Sequence, residues 1–364
     1  MTPGPRKSRS NHCESRKKVP FPVTTGEGLT DRPRGRKNMG RTARAFWVCS
    51  PGQGEIREVD LPDPTPDQAL VRTLYTGISR GTETMVFGGG VPVNQYEVMR
   101  APFQEGDFPG PVKYGYLNVG EVEEGPADLV GRTVFTLYPH QDRFVAPAKM
   151  LSPVPDEVPP ARAVLAGTVE TAVNALWDAS PMVGDRVTVV GAGMVGCCVA
   201  RLLSHIPGTR VQLVDVIPER SAIADALGVD FATPDHADGD CDLVFHTSAT
   251  EAGLIRSMGL LAPEGEVVEL SWYGDRQVIL PLGEDFHSHR LGVRASQVGM
   301  ISPARRARYD HAERLALALR LLTDPAFDAL LTGEDPFDDL PTVLPRLAEG
   351  SLPALCHRIA YPTP

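Results

Sequence analysis

The chain has 364 residues, 42% hydrophobic and 23% charged, more than one hydrophobic core usually organises, and it predicts two domains. No run approaches the roughly 18 apolar residues of a membrane span and the N-terminus has no apolar signal segment, so a soluble, cytoplasmic protein is expected. The formal charge of −10 is uneven: residues 1–44 carry 12 Lys and Arg against 3 Asp and Glu, and the remainder 24 against 43, an acidic body that repels phosphate backbones and argues against nucleic acid as a partner.

Residues 1–44 are basic, short of aliphatics and rich in Pro, Gly, Ser and Arg, and are expected to form a disordered arm. Met39, just before the first strand-like run at 45–49, reads as the start of the functional chain; a dispensable tail is the other reading. From 45 to about 152, short β-type runs (AFWVCS, ALVRTLYTGIS, LNVGEVEEG, RTVFTLY, DRFVAPA) separated by Pro and Gly predict a compact barrel-like domain. An Ala-rich helical segment at 159–179 reads as the connector to a second domain. From Gly184 the pattern alternates strand and helix through RVTVV, GMVGCCVARLLSHI, VQLVDV, PERSAIADALG, DLVFHTS and EVVELSW, which predicts a mostly parallel, doubly wound sheet. A long helix is expected over 304–322 and another over 340–347, and the closing ALCHRIAY reads as a strand returning to the β domain. The implied organisation is an arm at 1–44, a β-rich domain at 45–176, a parallel-sheet domain at 177–301 and a C-terminal segment at 302–364. Six cysteines without a C-x-x-C pair read as reduced, mostly buried thiols rather than a disulfide or zinc framework.

The strongest chemical signal is GDRVTVVGAGMVGCCVARLL. Gly191, Gly193 and Gly196 form G-x-G-x-x-G between a β-branched strand and an apolar helix, where they allow a tight turn, a close approach to pyrophosphate and close helix packing. The helix start at Met194 and Val195 offers unpaired N–H groups and the positive dipole end to phosphate. Asp215 ends the next strand, where a carboxylate binds ribose hydroxyls and repels a 2′-phosphate, so NAD(H) is favoured over NADP(H); Arg220, five residues on, is the group able to meet that phosphate.

With YTGIS at 75–79, GYLNVGEVEEG at 115–125 and the glycine fingerprint in place, the chain resembles the medium-chain dehydrogenase/reductase superfamily, the zinc-type alcohol dehydrogenases and their relatives. The pattern ISRGTE brings it near zinc-less members, among them the bacteriochlorophyllide hydroxyethyl dehydrogenases. The resemblance implies an α/β fold, a GroES-like β-rich catalytic domain plus a Rossmann doubly wound parallel-sheet domain. It also implies an NAD(P)-dependent alcohol dehydrogenase-like oxidoreductase. The departures are specific. Ser79 stands where the family places a zinc-binding Cys, Tyr116 and Leu117 where it places His and Glu, and Gly167 at the third ligand position. The four-cysteine structural zinc lobe is missing too, so no zinc is expected.

Without a metal, hydrogen-bond donors must stabilise the oxygen at the reacting carbon. Tyr116 is the candidate electrophile, its alternative being a ring packed under the nicotinamide. Ser79 and Thr82, with Glu83, are candidates for substrate contact or proton relay, the alternative being helix capping. His140 is a candidate general acid, against a surface turn histidine. Glu170 on the connector helix is a candidate proton-transfer group if it lines the cleft, against a solvent-facing carboxylate. His287 and His289, spaced for one face of a strand, lack a third ligand and are not read as a metal pair. The expected activity is interconversion of a secondary alcohol and a ketone on a small or medium organic substrate. The alternatives are an NAD(P)H-dependent enone or quinone reductase and a non-catalytic dinucleotide-binding sensor or scaffold. A small molecule is the expected partner, with a homodimer left open and no nucleic acid or membrane.

Overall fold

The computed structural model describes residues 41–362. The basic arm and the start at Met39 therefore lie outside the described residues, apart from positions 41–44, which are already strand. β1 (Arg41–Ser50) and β2 (Gln53–Leu61) form a hairpin in which Arg41 faces Leu61 and Arg44 faces Glu58. The ladder thus continues four residues before the apolar run at 45–49, because β2 is long enough to pair them.

β3 (Gln68–Ile78) leads through a short loop to helix α1 (Thr82–Phe87), followed by β4 (Glu105–Gly106), β5 (Val112–Lys113), β6 (Asn118–Glu124), β7 (Thr133–Thr136), β8 (Arg143–Pro147) and β9 (Ser152–Pro153). One sheet has the order β2-β1-β5-β4. The other is completed by the C-terminus. β16 (Leu331–Pro336), helix α9 (Leu340–Ala348) and β17 (Cys356–Ala360) return to it, giving β16-β17-β3-β6-β7-β9 with β8 also on β3. β17 pairs antiparallel to β3, Ile359 opposite Thr76.

The connector is α2 (Pro160–Ala163) and α3 (Ala166–Ala179). Its alanines let α3 come close to α4 (Met194–Leu203) and α8 (His311–Leu321). The parallel sheet is β10 (Arg186–Val190), α4, β11 (Arg210–Val214), α5 (Ser221–Leu227), β12 (Asp230–Ala232), β13 (Cys241–His246), α6 (Glu251–Gly259), β14 (Leu261–Glu269), α7 (Asp285–Ser288) and β15 (Gly292–Ala295). Every neighbouring pair is parallel, in the order β12-β11-β10-β13-β14-β15. The order reverses between β10 and β13, the switch point at which such sheets bind ligands. The fold is therefore the expected GroES-like domain plus Rossmann domain, and one buried cluster runs from Leu117 and Phe135 through α3 to Val189 and Phe245.

Two local expectations are corrected. α8 begins at His311 rather than 304, because Asp310 accepts from the Glu313 N–H while Glu313 reaches back to the Asp310 N–H, a capping box that fixes the start. His287 lies in the short helix α7 rather than a strand, and His289 follows its end. Cys197, Cys198, Cys241 and Cys356 are buried free thiols. No helix among the described residues is long and apolar enough to cross a membrane.

Candidate functional site

At the end of β10 the glycines are dictated by space. Gly191 has φ +110°, and a Cβ there would stand 2.7 Å from Thr247 Oγ1 and 2.8 Å from the Ser248 nitrogen. A Cβ on Gly196 would collide with the Gly191 carbonyl, so α4 seats on the turn only with glycine at that position. Gly193, which precedes α4, has nothing within 4 Å of its Cβ direction. The N–H groups of Met194, Val195 and Gly196 in the first turn of α4 have no intrahelical acceptor. This cradle fits a pyrophosphate. The Asp215 carboxylate accepts from the Ala192 N–H at 2.7 Å and the Ile217 N–H at 3.0 Å, which fixes it beside the turn. Burial lowers the Arg80 pKa, and the nearby Arg220 guanidinium pushes it the same way. Arg80 is held by the Ala354 carbonyl at 2.9 Å.

The loop between β3 and α1 carries a hydroxyl and acid cluster. Glu83 and His140 are both buried and share a bond of 2.8 Å from His140 Nε2 to Glu83 Oε2. His140 Nδ1 lies 2.7 Å from Thr76 Oγ1, which in turn meets the Tyr361 hydroxyl at 3.3 Å. The other Glu83 oxygen accepts the Ser79 N–H at 2.9 Å. His140 is therefore no surface turn residue: the close approach of Gly115, φ +133°, leaves room for its ring. Nor does the loop cap a helix through its hydroxyls. The N-cap of α1 is Gly81, without a side-chain bond, and it is Glu83 that turns back to the loop.

Tyr116 packs against the main core and against the second cluster around Phe46 and Phe337. Burial, reinforced by the Glu83 carboxylate, pushes its phenol up to about 12, while the adjacent Ser79 and Thr82 hydroxyls pull the other way. The phenol is therefore protonated throughout the neutral range, a donor held beside two further hydroxyls.

The positions that hold zinc in the resembled family do not fit a metal here. Leu117 is buried with one methyl 3.3 Å from where a Cβ on Gly77 would stand, and the other would clash at 2.6 Å with a Cβ on Gly167. The place of the third ligand is filled by hydrocarbon. Ser79 and Tyr116 alone supply neither thiolate nor imidazole. Among the described residues no three His, Cys, Asp or Glu side chains group as a metal set.

Glu170 lies elsewhere. It faces neither cleft nor solvent but accepts from Arg314 Nε of α8 at 3.0 Å, with both side chains buried. Arg314 also donates to Asn174 Oδ1 at 2.6 Å and to the Val298 carbonyl. Burial raises the Glu170 pKa against the opposing pull of Arg314. The structure thus brings Ser79, Thr82, Tyr116 and His140 together and separates Glu170 from them as a structural ion pair.

Sequence reasoning missed a second polar group at the carboxyl ends of two interior strands, His246 at the end of β13 and Glu269 at the end of β14, 2.7 Å apart. Its signal was a histidine closing an otherwise apolar strand. The following loop crosses to the other half: Trp272 packs on the Phe46 cluster, and a Cβ on Gly274 would lie 3.0 Å from the Gly90 carbonyl.

No family model matches the chain. It is 21% identical over 285 residues to a D-arabitol-phosphate dehydrogenase of Enterococcus avium, covering 66% of this chain and 79% of that protein. Among solved structures it is similar to L-idonate 5-dehydrogenase of Escherichia coli K-12, TM-score 0.72 at 16% identity over 88% of this chain and 99% of that one. It is likewise similar to an alcohol dehydrogenase of Escherichia coli CFT073 in complex with NADH, TM-score 0.70 at 16% identity over 88% and 100%. The relative and the solved neighbours are dehydrogenases, and this chain shares the neighbours' fold.

Proposed function

We propose that the protein is a zinc-independent, NAD(H)-dependent oxidoreductase that interconverts a secondary alcohol and a ketone on a small or medium organic substrate. The observation that carries this reading is the Tyr116 phenol, held as a protonated donor beside Ser79 and Thr82. Dehydrogenase relatives support the reaction class over a non-catalytic sensor.

The turn of Gly191, Gly193 and Gly196, with Met194 and Val195, would hold the pyrophosphate, Arg80 and Arg220 would neutralise it, and Asp215 would take the ribose hydroxyls. When bound, the dinucleotide supplies the two-electron exchange with the substrate carbon. The chain supplies the oxygen chemistry. Tyr116 donates a hydrogen bond to the substrate oxygen and gives up its proton as the alcohol forms, the Ser79 and Thr82 hydroxyls offering the path for its replacement. His140 and Glu83 act behind them as positioning residues: their bond and the grip of Glu83 on the Ser79 N–H fix the loop.

Reduction of a panel of ketones, enones and quinones tests the proposal. Tyr116→Phe is expected to lower kcat for ketones about tenfold to a thousandfold, the cost of one oxyanion donor, with NADH affinity nearly unchanged. A silent Phe variant, or consumption of NADH with enones and quinones alone, would overturn it.

A further inference from the structure

We propose that Ser248 recognises the carboxamide of the nicotinamide end, with Glu269 and His246 as positioning residues that set the direction of its hydroxyl; this rests on the dinucleotide reading above. His246 is fully buried, with Nδ1 2.7 Å from Glu269 Oε2 and Nε2 2.7 Å from Ser248 Oγ. Glu269 is itself fixed, one oxygen accepting the Ser271 N–H at 2.7 Å and the other the Tyr273 hydroxyl at 3.1 Å.

An ionised carboxylate only accepts, so in the neutral imidazole it places the proton on Nδ1 and leaves Nε2 as an acceptor. Ser248 must then spend its one proton on Nε2. Thr250 caps α6, its Oγ1 accepting the Gly253 N–H at 3.1 Å, and its own proton is free to go to Ser248 Oγ at 2.8 Å. Ser248 Oγ is thereby left with a single lone pair and no proton to give.

The free lone pair has one side to face. A side chain on Gly253 would run into Ser248 Oγ and stand 2.8 Å from His246 Nε2, so α6 closes over the back of the relay. In front, the Ser248 nitrogen adjoins Gly191 at the switch between β10 and β13. Ser248 is partly exposed there. A proton-less acceptor at the mouth of a dinucleotide cleft matches an N–H donor, which the amide of nicotinamide carries and an acetyl group in its place does not.

The test compares dissociation constants, measured calorimetrically, of NAD⁺, its 3-acetylpyridine analogue and ADP-ribose. The wild type is expected to bind NAD⁺ about tenfold more tightly than the analogue, the scale of one hydrogen bond. Ser248→Ala should abolish that ratio and leave ADP-ribose binding unchanged, while Ser248→Thr retains the ratio. His246→Gln and Glu269→Gln should each shrink it, with no further loss when combined with Ser248→Ala. An equal ratio in the wild type and Ser248→Ala would overturn the proposal. A wild type that binds neither ADP-ribose nor NAD⁺ would overturn the dinucleotide reading beneath it.

Discussion

A tyrosine takes the place of a metal ligand here, and its neighbours decide what it can do. Burial and the Glu83 carboxylate raise the phenol in the same direction, so Tyr116 rests protonated, the form that can donate to a carbonyl oxygen. Asp215 is the second residue whose surroundings set its role. Its carboxylate is tied by two backbone N–H groups, and on the proposed reading it stands where a 2′-phosphate would lie. NADH is expected to bind at least about tenfold more tightly than NADPH, near 1.4 kcal/mol, and Asp215→Ala should narrow the gap; titration of both cofactors checks it, and a wild-type preference for NADPH would contradict it. Much of this was legible in the sequence, because the fingerprint and Asp215 lie within 25 consecutive residues (191–215) and obey local geometry. The partners of His140 were not, since Glu83 and Thr76 lie 57 and 64 residues from it, and Tyr361, which backs Thr76, lies 285 residues from that threonine.

At the scale of elements, α3 serves as the spine of both halves, and its inward polar face is satisfied from α8. Arg314 there binds Glu170, Asn174 and the Val298 carbonyl with almost no exposure. Removing one partner of such a pair strands a buried charge, so Glu170→Gln is expected to cost about 3–5 kcal/mol. Urea unfolding should show this as a lower midpoint at unchanged m-value, while the folded variant retains its NADH affinity. A cost under about 1 kcal/mol would place Glu170 outside the core. The strand and helix alternation was readable because each period is local. The start of α8 and the fate of Glu170 were not, since one is set by a reciprocal cap and the other by a residue 144 positions away.

Across the whole molecule, two walls built from distant parts of the chain meet over the strand ends of the parallel sheet. The loop after β14 ties them, with Trp272 on the β-rich side and Gly274 against Gly90, and β17 carries the chain back to pair with β3, placing Tyr361 behind Thr76. The order of elements made this architecture legible, whereas the facing of hydroxyls and glycines across the cleft exists only in the folded chain. Because Leu117 fills the space beside Gly167, the central claim is that carbonyl activation here uses a phenol and no metal. The direct measurement is NADH-dependent ketone reduction by protein purified in chelator, with zinc determined on the same sample. The account predicts well under one zinc per chain and full turnover that added zinc does not raise; turnover lost on chelation and restored by zinc would contradict it.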